Sequence, residues 1–145
     1  MRYRHTGNVH KDFHLATQTT IEYVMETYGR AFLDELFERT ARLVYRDIYR
    51  SLEAGDFEPL LEHWSYYYRR EAGEYRIDRV SGGADFVVLD CPAIRHLTEG
   101  GRSHSESFYL QFETLCRGYS HGTPFDITYH LTGPRGYVYR IRVRE

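Results

Sequence analysis

The chain has 145 residues, the size of one ordinary domain. Hydrophobic residues make up 41% of it and aromatic residues 16%, enough for a core, and this content excludes wholesale disorder. The formal net charge of −2 argues against a nucleic-acid-binding protein, which needs a concentrated basic face.

The same numbers indicate a compartment and a domain count. Two cysteines are too few for a disulfide framework. No apolar stretch has the length of a membrane span, and the first residues lack an apolar secretory core. We therefore expect one soluble, cytoplasmic domain over residues 1–145, with reduced thiols and without a nucleic-acid or membrane partner.

The first half of the chain predicts three helices. Apolar residues recur at three- and four-residue steps over 12–28 and over 30–54, and a glycine follows each segment. Asp56 caps a third helix, which has Pro59 in its first turn and ends near Gly73.

The second half changes to the period of strands. The predicted elements, in order, are strands over 75–80 and 85–90, helices over 92–98 and 103–118, and strands over 125–131 and 137–143. Glycine-rich turns close both strand pairs as hairpins. The expected fold class is α+β, with an N-terminal helical half packed on a small antiparallel sheet made from two hairpins, and two further helices between the hairpins.

Cys91 is a candidate reactive residue because of its position. It follows an apolar strand and precedes Pro92, which favours the first turn of a helix. A thiol just outside a helix N-terminus feels the positive end of the helix dipole, which lowers its pKa and favours the thiolate, a nucleophile and soft metal ligand. The alternative is that Cys91 is a small, buried apolar residue.

Several histidines are candidate partners for this thiol. His96 lies about one turn beyond Cys91, His104 precedes the next helix, and His121 lies in a later loop. Each is a candidate general base, since a Cys–His couple needs only spatial adjacency.

A second pair of histidines predicts a metal site. His10 and His14 are four residues apart, one helical turn, a spacing that can hold a divalent metal such as zinc, iron or copper. The alternative is a polar N-terminal turn. We interpret His63 and His130 as ordinary helix and strand residues.

The chain lacks the motifs of several enzyme classes. It has no glycine-rich phosphate loop, no Cys-x-x-Cys pair, no Gly-x-Ser-x-Gly elbow and no His-Glu-x-x-His helix. Phosphoryl transfer, dinucleotide redox chemistry and serine hydrolysis therefore have no support.

Three segments carry a resemblance to a known family. Residues 87–97 (VVLDCPAIRHL), 10–14 (HKDFH) and 62–64 (EHW) resemble the L-2-amino-thiazoline-4-carboxylic acid hydrolases. The layout is also similar: a helical half, a strand that ends in Cys-Pro, one or two helices and a closing hairpin. The resemblance implies hydrolysis or a related lyase reaction at a C–N or C–S bond of a small substrate derived from an amino acid.

Under this hypothesis the site residues fall into three groups. Cys91 is the nucleophile or a metal ligand, a histidine is the acid–base group, and arginines hold a substrate carboxylate by two-point contacts. The candidates are Cys91, His104 and His96 for catalysis, Arg95, Arg102 and Tyr109 for substrate binding, and His10 and His14 for metal or substrate contact.

The alternative function is a small-molecule- or metal-binding domain without turnover, such as a sensor or accessory protein. The layout is also similar to that of small-molecule-binding domains related to vinyl reductases. This alternative predicts a pocket lined by tyrosines and no contact between Cys91 and a histidine. Both hypotheses are compatible with a homodimer that forms through one of the long helices.

Overall fold

The computed structural model describes residues 12–99, 101 and 104–145. Its elements in chain order are α1 (Asp12–Leu43), α2 (Arg46–Glu53), α3 (Glu58–Arg70), β1 (Glu74–Val80), β2 (Gly83–Asp90), α4 (Pro92–Glu99), a 3-10 helix (Glu106–Tyr109), α5 (Leu110–Ser120), β3 (Phe125–Leu131) and β4 (Tyr137–Val143). The predicted α+β class is confirmed, with two hairpins that form one antiparallel sheet.

The N-terminal helices divide differently from the prediction. Gly29 interrupts α1 with a φ of 82° and a ψ of 173°, a conformation that favours glycine, and the helix resumes beyond it. The single helix predicted over 30–54 is wrong, because α1 ends at Leu43 and α2 begins at Arg46. The amides of Val44 and Tyr45 both donate to the Thr40 carbonyl at 3.0 and 3.2 Å, which closes the last turn of α1.

The helix predicted over 103–118 also begins later than expected. The Ser105 hydroxyl accepts a hydrogen bond from the Ser107 amide at 3.2 Å and caps the 3-10 helix. The α-helical hydrogen bonds then start with α5 at Leu110. The local cap therefore starts the segment as a tighter helix.

The sheet has the strand order β1-β2-β4-β3, so the two hairpins meet through β2 and β4. Side chains alternate between its faces. One transverse row on the helix-covered face consists of Ile77, Phe86, Tyr139 and Tyr129, which are consecutive cross-strand partners. The opposite face carries exposed charged side chains such as Arg140. One face of the sheet is thus covered and the other is open.

Two helices make the main cover of the sheet. Trp64 of α3 stacks on Tyr139, with 4.3 Å between ring centroids, and also packs against Phe86. Helix α5 crosses α1 closely: a Cβ atom at Gly118 would lie 2.7 Å from the Ala41 Cβ atom. The core therefore joins the helical half to the sheet.

Within the described ranges, no helix combines the length and apolar character that a membrane crossing needs.

Candidate functional site

A cavity of about 260 Å³ lies between the helices and the covered face of the sheet. Its wall is formed by the start of α1, one face of α3, the start of α4, helix α5 with the preceding turn, and strand β4. Half of the described lining residues are aromatic. These aromatic residues are Phe13, Tyr45, Trp64, Tyr67, Tyr68, Phe108, Phe112, Tyr119, Tyr137 and Tyr139.

Cys91 lies in this wall, directly before α4. Its amide donates to the Arg135 carbonyl at 2.9 Å, and Pro92 opens the helix as predicted. The turn after α3 packs on the same junction, since a Cβ atom at Gly73 would lie 2.8 Å from Pro92 Cδ and 2.9 Å from Tyr68 Cδ1. Close backbone packing thus holds the thiol in place.

The thiol is 2% exposed, and two tyrosines adjoin it. The Tyr137 hydroxyl donates to Cys91 Sγ at 3.6 Å and is itself hydrogen-bonded to the Tyr68 hydroxyl. Burial raises the pKa of Cys91, although the Ile94 amide, the Tyr137 hydroxyl and other donors oppose the rise. The predicted lowering of this pKa is wrong, because desolvation outweighs the donors at the helix start. The alternative of a small buried residue describes Cys91 better.

The neighbouring tyrosines are neutral for the same reason. Burial raises the pKa values of Tyr68, Tyr137 and Tyr139 well above the ordinary value of 10.0. Their hydroxyl groups therefore keep their protons and provide hydrogen-bond donors and acceptors within an otherwise apolar wall.

An imidazole–carboxylate pair lines another part of the cavity. His14 Nε2 lies 2.5 Å from Glu71 Oε2, and both side chains are only 12% exposed. The pair joins the first turns of α1 to the end of α3. The His96 ring lies nearby, with its centroid 6.3 Å from that of His14.

The described residues include no cluster of metal ligands that would support the predicted metal site. Among residues 12–99, 101 and 104–145, no group of three histidine, cysteine, aspartate or glutamate side chains is arranged to hold a metal ion. His14 makes its close contact with Glu71, and His10 lies outside the described residues.

Neither of the predicted acid–base histidines is part of the cavity lining. His104 packs edge-on against Tyr109 at 4.8 Å, and its Nε2 atom is buried without a hydrogen-bond partner among the described residues. Burial lowers the pKa of His104. Of the predicted catalytic set, only Cys91 is part of the lining; His96 and His104 are not among the residues that line it.

The predicted substrate-binding residues have structural partners. Arg95 forms an ion pair with Asp90 and donates to the carbonyls of Glu71 and Ala72 at 3.3 and 3.0 Å. Tyr109 donates its hydroxyl proton to the Pro134 carbonyl at 3.1 Å. Neither residue is part of the lining, and Arg102 lies outside the described residues.

The predicted site residues include none of α3, although the alternative function predicts a pocket lined by tyrosines. The residues His63, Trp64, Tyr67, Tyr68 and Glu71 all line the cavity. Their spacing of three and four residues is that of one helical face, which was a readable signal. His63, which we interpreted as an ordinary helix residue, is buried between the rings of Tyr45 and Tyr67, and burial lowers its pKa to about 4.

No family model, curated protein or solved structure matches this chain. The resemblance to the thiazoline hydrolases, which is carried by the segments 10–14, 62–64 and 87–97, therefore stays a prediction from the sequence.

Proposed function

We propose that the protein binds a small, flat, largely apolar molecule in the cavity beneath α3. The observation that carries this proposal is the composition of the wall: aromatic rings on most sides, with a few polar groups at defined positions. Ligand sites of proteins typically have this composition, because apolar walls supply affinity and a few polar groups orient the ligand.

The size of the cavity supports a ligand of one or two rings. An apolar cavity of roughly 150 Å³ is enough to hold benzene. The present cavity measures about 260 Å³. It lies below the roughly 300 Å³ at which pockets for drug-sized molecules begin, so the proposed ligand is smaller than these.

Calorimetric titration with benzyl alcohol, a neutral one-ring probe, tests the proposal. We expect saturable binding to the wild-type protein. Leu115→Trp fills the cavity that Leu115 lines and should weaken binding by about tenfold or more, a loss of at least 1.4 kcal/mol. Leu89→Trp, at an exposed position of β2, is the matched control and should bind as the wild type does.

Two results would contradict the proposal. One is the absence of saturable binding of both benzyl alcohol and indole to the wild-type protein. The other is equal loss of affinity in Leu115→Trp and Leu89→Trp. Circular dichroism of both variants establishes that each is folded before the titrations are compared.

Hydrolysis at Cys91 is a second candidate, and one observation favours it. The Cys91 thiol and the His14–Glu71 pair line the same cavity. In the proposed reaction Sγ attacks the electrophilic carbon while a histidine takes up the thiol proton. The C–N or C–S bond then breaks and the departing nitrogen or sulfur receives that proton, after which water cleaves the bond between Sγ and carbon, releases the product and restores the thiol. The resemblance to the thiazoline hydrolases suggests 2-amino-thiazoline-4-carboxylic acid as the probe.

The hydrolytic candidate predicts loss of turnover on removal of one thiol only. Cys91→Ala should abolish consumption of the thiazoline, measured by liquid chromatography. Cys116→Ala removes the second buried thiol of the lining and should retain it. Unchanged turnover in Cys91→Ala excludes Cys91 from the mechanism, and no turnover by the wild type rejects this candidate while the binding proposal stands.

A further inference from the structure

We infer that the cavity selects a positively charged apolar ligand, a protonated aromatic or alkyl amine, over a carboxylate. This inference rests on the proposed binding function and names the class of its ligand. The argument comes from the charges in the wall, the aromatic rings around them and the partners of the nearest arginine.

Among the described residues, the cavity wall contains one carboxylate, which is paired with His14, and no lysine or arginine side chain. The chain contains 19 lysine and arginine residues, yet none of those in the described part of the chain lines the cavity. The same lining contains one carboxylate, Glu71. His63 adds no positive charge at pH 7, because burial lowers its pKa to about 4.

Glu71 is placed to act on a ligand. Its side chain is 12% exposed, so water screens its charge weakly. It is also the C-cap of α3, where the negative end of the helix dipole adds to its field. His14 contacts the Oε2 atom of Glu71, and the Glu71 side chain is part of the cavity lining.

The aromatic rings favour the same charge. The faces of tryptophan, tyrosine and phenylalanine attract cations through their ring quadrupoles, and the attraction grows when the cation is removed from water. Trp64 and Tyr67, which line the cavity, lie on the same helix as the Glu71 cap. An ammonium group in the cavity would therefore have a carboxylate and aromatic rings in the same wall.

A carboxylate ligand lacks the corresponding partners. Arg95, the expected carboxylate clamp, is held by Asp90 and by the backbone carbonyls of Glu71 and Ala72. Asp90 therefore offsets the charge of Arg95, the carbonyls occupy donors of its guanidinium group, and Arg95 is not part of the cavity lining. An anionic ligand would also be repelled by Glu71.

Three probes of nearly equal size separate the alternatives by calorimetry: benzylamine, benzyl alcohol and benzoate. We expect the wild-type protein to bind protonated benzylamine about tenfold more tightly than benzyl alcohol, and benzoate most weakly. Glu71→Gln should abolish the preference for benzylamine, so that this variant binds benzylamine and benzyl alcohol with similar affinity. Glu74→Gln, an exposed carboxylate three residues along the chain, should keep the preference.

The outcomes distinguish this inference from the function on which it rests. Equal affinity of the wild type for all three probes, or a preference for benzoate, overturns the inference while the binding proposal stands. Retained preference in Glu71→Gln overturns the role of Glu71. Absence of binding by every probe overturns both proposals, and the wild-type comparison decides the ligand class even if Glu71→Gln does not fold.

Discussion

At Cys91, two physical effects on a thiol act in opposite directions. The amides of Ala93 and Ile94 and the Tyr137 hydroxyl stabilise negative charge on the sulfur, as a helix start is expected to do. Burial removes the water that would stabilise the same charge and is the larger effect, so the pKa of Cys91 rises. Position in the sequence reveals the donors, whereas burial depends on what packs around the residue.

His63 provides a test of burial at the scale of a single residue. Burial lowers its pKa from 6.5 to about 4, so between these pH values the unfolded chain takes up a proton that the folded chain does not. The stability present above pH 6.5 is therefore lost as the pH falls, by about 3 kcal/mol at pH 4. Between pH 7 and pH 4, the free energy of unfolding should therefore fall less in His63→Gln than in the wild type. The difference between the two decreases should be about this amount.

Urea unfolding at each pH measures this difference. His130→Gln, an exposed histidine on β3, is the matched control and should follow the wild-type profile. Identical pH dependence in His63→Gln and the wild type would show that His63 is not buried as a neutral side chain.

At the scale of elements, the predicted bounds of the strands agree with the structure better than the predicted bounds of the helices do. The structure places β3 at Phe125–Leu131 and β4 at Tyr137–Val143, as predicted, and β1 and β2 each begin one or two residues early. Alternation and glycine-rich turns mark both ends of a hairpin locally. The break between α1 and α2 has no such marker, because apolar residues continue at helical spacing across it.

The crossing of α1 and α5 depends on Gly118. A Cβ atom there would lie 2.7 Å from the Ala41 Cβ atom and 3.0 Å from the Glu38 Cα atom. We expect Gly118→Ala to lower the free energy of unfolding by about 1–3 kcal/mol through overpacking, despite the higher helix propensity of alanine. Gly133→Ala, whose Cβ atom would meet nothing within 4 Å, is the control in the same urea titration. Equal stability of the two variants would contradict the close crossing.

At the scale of the whole molecule, the helices cover one face of the sheet and enclose a cavity between themselves and that face. At this cavity His14, from the start of α1, meets Glu71, at the end of α3, and Cys91 lies in the same wall.

The homodimer, the single-domain organisation and the cytoplasmic location remain predictions. Exposed apolar side chains of α1 such as Phe32 and Leu36 are where a dimer through this helix would form.

Local patterns in the sequence were enough for the α+β class, the two hairpins and the helix start at Pro92. Each depends on residues within a few positions of one another, whose spacing follows the period of a strand or helix. Cys91 lies directly before α4, as the sequence predicts, but its surroundings were not predictable in this way. Tyr68 and Glu71, at the end of α3, and Tyr137, on β4, are distant from Cys91 in the sequence, and only packing of the helices on the sheet brings them into one wall. That packing encloses the cavity and, by burying the thiol, raises the pKa of Cys91.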